Sequence, residues 1–167
     1  GLISGKGGRS DFNEGNYDRD FEKDISLADH LRAQLNVDID DSIDRLIGVH
    51  LIDLVDEAGY LAGDLDSVAE MVGCPLGQVE ETLSKLQSFD PSGIFARDLK
   101  ECLALQLKEL NRLDPVMEIF LENLDLLAKH DLGQLAKLCA VDAEDVFDMV
   151  QEIKALNPKP EIGRAHV

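Results

Sequence analysis

Two stretches of this chain share one apolar pattern, and that internal repeat constrains the fold more than any other feature. Laid over one another without a gap, at an offset of 67 (131 − 64), residues 64–91 and 131–158 pair Asp64-Leu65 with Asp131-Leu132, Ala69 with Ala136 and Val79 with Val146. Val68, Met71, Leu83, Leu86 and Phe89 fall on Leu135, Leu138, Val150, Ile153 and Leu156. Each stretch ends in an acidic or amide residue followed by proline, Asp90-Pro91 and Asn157-Pro158. Apolar spacings of three and four mark helices that bury one face. The order within each stretch is a short helix, a tight turn and a longer helix, the outline of a helix-turn-helix. The expected fold is all-α, with two small helical-bundle subdomains, each carrying a helix-turn-helix-like unit.

The rest of the chain fills in around the repeat. Residues 1–25 hold five glycines, the acidic run Asp18-Arg19-Asp20-Phe21-Glu22-Lys23-Asp24 and no sustained apolar period, so a flexible acidic leader is expected. Gly5-Lys6-Gly7-Gly8 lacks the spacing and the preceding strand of a phosphate loop. Ser26 reads as a cap for a helix with Leu27, Leu31 and Leu35 on one face. A second helix is expected over about 39–55, with a stripe of Ile43, Ile47, His50 and Leu54 widened by Leu46, Val49 and Ile52, and with Gly59 as its left-handed cap. Helices over 65–72 and through Val79, Leu83, Leu86 and Phe89 follow, Pro75 taking a first helical position. Asp114-Pro115 opens a helix lined by Val116, Phe120, Leu124 and Leu127, and 132–139 and 143–156 complete the pattern, with Asp142 as a cap. No strand is expected.

Between the two repeats lies a corner. In Phe89-Asp90-Pro91-Ser92-Gly93-Ile94-Phe95, Pro91 fixes φ, Gly93 can take a positive φ and Asp90 can bond the backbone that follows it. Ala96-Arg97-Asp98-Leu99 then starts a helix with Leu99, Leu103, Leu107 and Leu110 at helical spacing. The domain plan is therefore a leader at 1–25, one subdomain at 26–89, a connecting turn at 90–95, a second subdomain at 96–158 and a tail at 159–167.

Charge limits the partners. With 34 acidic and 16 basic residues the formal charge is −18, a balance that repels phosphate and favours a basic protein groove over nucleic acid or an anionic membrane. The longer repeat helices bear out that exclusion. Their polar positions are Gln78, Glu80, Glu81, Ser84, Lys85 and Gln87 in one and Glu144, Asp145, Asp148, Gln151, Glu152 and Lys154 in the other. A helix reading the major groove needs cations near phosphate and Arg, Asn or Gln at base edges. DNA binding through these units is thus the rival reading, and a structural helical adaptor for another basic protein the third.

Chemistry is not indicated. His30, His50, His130 and His166 are far apart and form no metal pair, and Asp38-Ile39-Asp40-Asp41 lacks the ligand spacing of a calcium loop. Cys74, Cys102 and Cys139 are odd in number and each sits in an apolar helical context, which fits buried free thiols in a reducing cytoplasm. No apolar run reaches the roughly 20 residues of a membrane span and no signal peptide is visible. The expectation is a cytoplasmic, non-enzymatic chain without metal or cofactor. It begins at Gly1 rather than Met and is expected to be a fragment.

Three blocks carry a family resemblance. Leu54-Val55-Asp56-Glu57-Ala58-Gly59-Tyr60-Leu61, then Leu86-Gln87-Ser88-Phe89-Asp90-Pro91-Ser92-Gly93-Ile94-Phe95-Ala96-Arg97-Asp98-Leu99-Lys100-Glu101-Cys102-Leu103, then Leu156-Asn157-Pro158-Lys159-Pro160 resemble, in order and spacing, the core-binding region of sigma-N (sigma-54), the bacterial RNA polymerase factor that depends on enhancer-binding activators. The resemblance covers about 26–160, and its middle block is the specific one. After Pro160 the sequence departs from the family, which continues into glycine where this chain has Glu161.

The resemblance implies a module that docks the sigma factor on core RNA polymerase, monomeric as a fragment. Promoter DNA would be met only through domains absent here, and the activator ATPase only indirectly. The partner-binding candidates it points to are Phe89, Asp90, Pro91, Gly93, Phe95, Arg97, Asp98 and Lys100. Phe95 and Arg97 lead that set, because aromatics and arginine are enriched in binding hot spots. For each, a structural role stands beside the functional one: Phe89 in a core, Asp90 and Pro91 in a turn, Asp98 at a helix start.

Overall fold

The computed structural model describes residues 27–160; the leader, the Ser26 cap, His166 and the tail beyond Pro160 lie outside them. Helix α1 covers 27–38, followed by α2 (Ser42–Asp53), α3 (Leu65–Val72), α4 (Leu76–Leu86), α5 (Leu99–Glu109), α6 (Pro115–Glu122), α7 (Leu124–Ala128), α8 (Leu132–Cys139) and α9 (Ala143–Lys154). The chain is all-α. Among the described residues, extended pairing amounts to one isolated antiparallel bridge, Val55 with Leu61.

Aspartates start most of these helices. Asp41, Asp64, Asp98, Asp114, Asp131 and Asp142 are the N-caps of α2, α3, α5, α6, α8 and α9, and each carboxylate accepts a backbone N–H of the first turn. An anion there satisfies an otherwise unpartnered donor and meets the positive end of the helix dipole. Part of the acidic excess is therefore spent locally on defining helix starts.

The repeat is structural. Helices α3 and α8 begin and end at positions related by the offset, and α4 and α9 start at related positions. Gly73 (φ 80°) and Ala140 (φ 57°) end the shorter helices in the left-handed conformation at equivalent places. Val68, Val79, Leu83 and Leu86 are buried, as are Leu135, Val146, Val150 and Ile153. Two apolar clusters result. The first gathers Leu31, Leu35, Ile47, Leu51, Val79 and Leu86 and extends through Phe89 to Ile94 and Phe95. The second gathers Leu103, Leu107, Phe120, Leu135, Val146 and Ile153. The connecting turn thus belongs to the first core.

Several expected details change. Helix α2 is shorter than 39–55, and its buried face is Ile47, Gly48, Leu51 and Ile52. Ile43, Leu46 and Val49, read as part of the inner stripe, point outward at about 40% exposure. The phase is set at Gly48, where an added Cβ would lie 2.5 Å from Leu35 Cδ1, so α1 and α2 touch across a glycine. Gly59 has φ 92° but sits in the turn after α2, whose C-cap is Leu54. Pro75 is the N-cap of α4 rather than its first residue. Met71 and Leu138 are exposed, as are Leu99 and Leu110, and α5 buries Cys102, Leu103, Gln106 and Leu107 instead. The helix from Pro115 breaks at Asn123 into α6 and α7, and Met117, Phe120 and Leu121 form its buried side.

Candidate functional site

The corner from Phe89 to Lys100 is held from several directions. Gly93 has φ 92° and packs against α5; a Cβ there would come within 2.9 Å of Cys102 Sγ and 3.1 Å of Gln106 Nε2. Phe95 also has a positive φ, 67°, which a side chain rarely adopts. It is kept there by three things. Its ring is fully buried and meets Phe89 edge-on, centroids 6.5 Å apart at 77°. Its amide donates to the Gly59 carbonyl (3.2 Å), and its carbonyl accepts from Gln87 Nε2 (3.1 Å). Next to it, Leu61 N donates to the Ala96 carbonyl at 2.8 Å. The turn after α2 and the corner are therefore stitched backbone to backbone. The first two resemblance blocks meet there.

The candidate residues separate by exposure. Phe89 and Phe95 are buried, and Phe95, expected to lead the contact residues, turns no face of its ring to solvent in this fold. Gly93 is buried too, and Pro91, preceded by a cis peptide bond, is half-buried. Asp90, Arg97, Asp98 and Lys100 are exposed. His30 of α1 lies with Nε2 3.1 Å from the Asp90 carbonyl.

Exposed does not mean unengaged. Asp98 caps α5 by accepting from Glu101 N at 2.8 Å. Glu101 turns back to accept from the Arg97 amide (2.8 Å), Nε (3.1 Å) and Nη2 (3.0 Å), a reciprocal arrangement at the helix start. Partial burial pushes the Glu101 carboxyl up, but the bonds from Arg97 outweigh it and hold it below the ordinary carboxylate value. The Lys100 ammonium pairs with Glu122 of α6. Beside the corner a cleft of about 430 Å³ opens between α4 and α5, lined by Ser84, Ser88, Phe89, Ser92 and Lys108.

A second joint, not anticipated, crosses the corner from the far end of the chain. Asn157 follows α9 and lies on α5: Gln106 Nε2 donates to the Asn157 carbonyl at 2.6 Å, and the Asn157 amide donates to Gln106 Oε1 at 2.9 Å. One residue on, the Pro158 carbonyl accepts from the Tyr60 hydroxyl at 2.5 Å. Burial first, and then the neighbouring Cys102, push the Tyr60 phenol up to about 12. The third resemblance block is thus a strap that ties the second helical half to the turn of the first. Sequence carries one signal of it: Gln106 is a polar residue at a core position of an apolar helix, between Leu103 and Leu107. A buried amide in such a place needs a partner.

Among the described residues no group of three or more His, Cys, Asp or Glu is arranged to hold a metal ion, and no helix is long and apolar enough to cross a membrane.

A family model described as sigma-54 factor, core binding domain, matches residues 16–166. The RNA polymerase sigma-54 factor of Azorhizobium caulinodans is 55% identical over 137 residues, 82% of this chain and 27% of the relative. RNA polymerase sigma-54 factor 2 of Bradyrhizobium diazoefficiens is 51% identical over 154 residues, 92% of this chain and 29% of the relative. The sigma-54 factor of Caulobacter vibrioides is 50% identical over 157 residues, 94% and 31% respectively. The chain spans under a third of the length of these relatives. With one family model running almost end to end and half of its aligned residues shared with sigma factors of several genera, the chain belongs to the sigma-54 factor core-binding domain family.

Proposed function

We propose that this chain is the part of a sigma-54 factor that docks on core RNA polymerase, and that it acts by binding alone. The match of residues 16–166 to the core-binding domain family is the observation that carries this reading. The geometry supports it. Two similar helical units are joined at the corner and again by the Asn157–Pro158 strap, so a partner would meet both in one arrangement. Of the candidates, Asp90, Arg97, Asp98 and Lys100 form the exposed polar row that would face the partner. Phe89, Pro91, Gly93 and Phe95 would set its shape from beneath. Promoter recognition and the response to an activator ATPase would reside in the remainder of the longer protein.

Direct DNA binding is disfavoured by the outward side of the repeat helices, where Glu80, Glu81, Glu144, Asp145 and Asp148 are exposed; carboxylates there would meet phosphate. The test is co-elution of the purified chain with intact core RNA polymerase at low salt, without DNA. A stable complex is expected, and separate elution of the two overturns the reading.

A further inference from the structure

Helix α2 leaves one side open. Its inner face packs on α3 and α4, and Gly48 lets α1 close against it. On the remaining side Ile43, Leu46 and Val49 stand 41%, 44% and 40% exposed. They recur every third residue, which places them along one stripe. Half-buried His50 borders it. Three aliphatic side chains exposed in line on a helix packed on its other sides offer an apolar surface to a partner.

The charges around the strip state what fits it. At its start stand the exposed carboxylates Asp38, Asp40 and Asp41. At its end stands Asp53, which shares Arg32 at 3.8 Å. The one cation on α2 besides His50 is turned away: Arg45 donates from Nε and Nη2 to the carbonyls of Ile39 and Asn36 at the end of α1. The strip is therefore apolar along its middle and anionic at the end where α2 begins. A second copy of the chain, at a formal charge of −18, would bring like charge to that end, and so would DNA or an anionic bilayer. The complement is a protein segment with an apolar face flanked by lysine or arginine. A helix laid along α2 has about 18 Å to follow, the length of 12 residues, which is the geometry of helix-face recognition.

We propose that the Ile43–Leu46–Val49 face of α2 is a principal contact with core RNA polymerase, taking a basic-flanked apolar segment of that enzyme. This rests on the docking function proposed above and names a surface for it that lies outside the corner.

The test is the affinity of the chain for core RNA polymerase, by fluorescence anisotropy, for wild type and three variants. Ile43→Ser/Leu46→Gln/Val49→Thr is expected to bind at least tenfold more weakly, with a cooperative melt retained because all three sites are exposed. Asp38→Asn/Asp40→Asn, which leaves the aliphatic residues and the Asp41 cap in place, is expected to bind several-fold more weakly with a shallower salt dependence. Phe147→Gln, an exposed apolar site on α9, is expected to bind within twofold of wild type. If wild type binds and both α2 variants match it, the proposed surface is wrong while the docking function stands. If Phe147→Gln alone loses affinity, the contact lies on the other half and the proposal is again wrong. If wild type does not bind core, the docking function itself fails and this surface with it. Self-association of wild type that the triple variant abolishes assigns the strip to a second copy and overturns the proposal.

Discussion

The side-chain amide of Gln106 hydrogen-bonds the backbone of Asn157 in both senses, 2.6 Å from its own nitrogen and 2.9 Å to its own oxygen. A glutamine buried in an apolar helix face is costly unless donor and acceptor are both met, and a passing backbone meets both at once. The chain leaving α9 is thereby fixed on α5, and one residue later it reaches Tyr60 of the other half. Gly93 packs on the same turn of α5. Cys102 and Gln106 thus form a small platform on which the corner and the strap converge.

Gln106→Leu should destabilise the chain by about 2 kcal/mol, because it strands the N–H of Asn157 in a partly buried place and leaves its C=O only the weak Cys102 thiol donor at 3.6 Å. Asn157→Ala keeps those backbone groups and loses only the Oδ1 contact to Lys159 N, so it should cost less than about 1 kcal/mol. Urea denaturation followed by circular dichroism measures both. Equal losses would mean that the amide pair is not what holds the strap.

Glycine substitutions should divide by environment. Gly93→Ala combines a positive φ with a Cβ inside contact distance of Cys102 and Gln106, and should cost more than about 1 kcal/mol. Gly77 and Gly133 lie in α4 and α8 with nothing within 4 Å of an added Cβ. Gly77→Ala and Gly133→Ala should each stabilise by up to about 1 kcal/mol through helix propensity. The melting temperatures of the three variants check the contrast.

The helices were legible because their cause is local. Aspartate caps and apolar spacing lie along the sequence, and the repeat that they form appears at the expected offset. What was not legible is which side of a helix with too many apolar residues turns inward. In α2 the choice is made by Gly48, which admits Leu35 of another helix, and no periodicity contains that contact. The corner stands out in the sequence by its wording, but that wording does not separate its exposed members from its buried ones: Phe95 has the residue type of a hot-spot aromatic, and its ring packs edge-on against Phe89. The strap joins residues 51 positions apart in the chain, and only the unexpected polarity of Gln106 hints at it.

The capping arrangement at α5 should give a pH signature. The folded-state value of Glu101 lies below its ordinary one, so the unfolded chain takes up that proton first as pH falls. The stabilisation is therefore fully present above the unfolded carboxylate value of about 4.3 and is lost as pH drops through the lower folded value. Wild type should exceed Glu101→Gln in stability at pH 6 by more than it does at pH 3. A constant difference across that range would show that the charge on Glu101 does not matter to the cap.

Arg97 distinguishes a binding role from a structural one. Its guanidinium pairs with Glu101, yet its side chain remains 53% exposed, and exposed pairs of this kind contribute about 1 kcal/mol or less. Arg97→Ala should therefore leave helical content and the cooperative melt nearly unchanged. If the exposed row at the corner faces core RNA polymerase, the same variant should bind core several-fold more weakly, and Arg97→Lys should recover only part of the loss, since an ammonium cannot reproduce the planar fork. Asp98→Ala provides the contrast: it removes a cap worth about 1 kcal/mol and should lower the melt first. A collapse of the melt in Arg97→Ala would place Arg97 with Asp98 in the helix start, leaving Asp90 and Lys100 as the residues of the row still open to a partner.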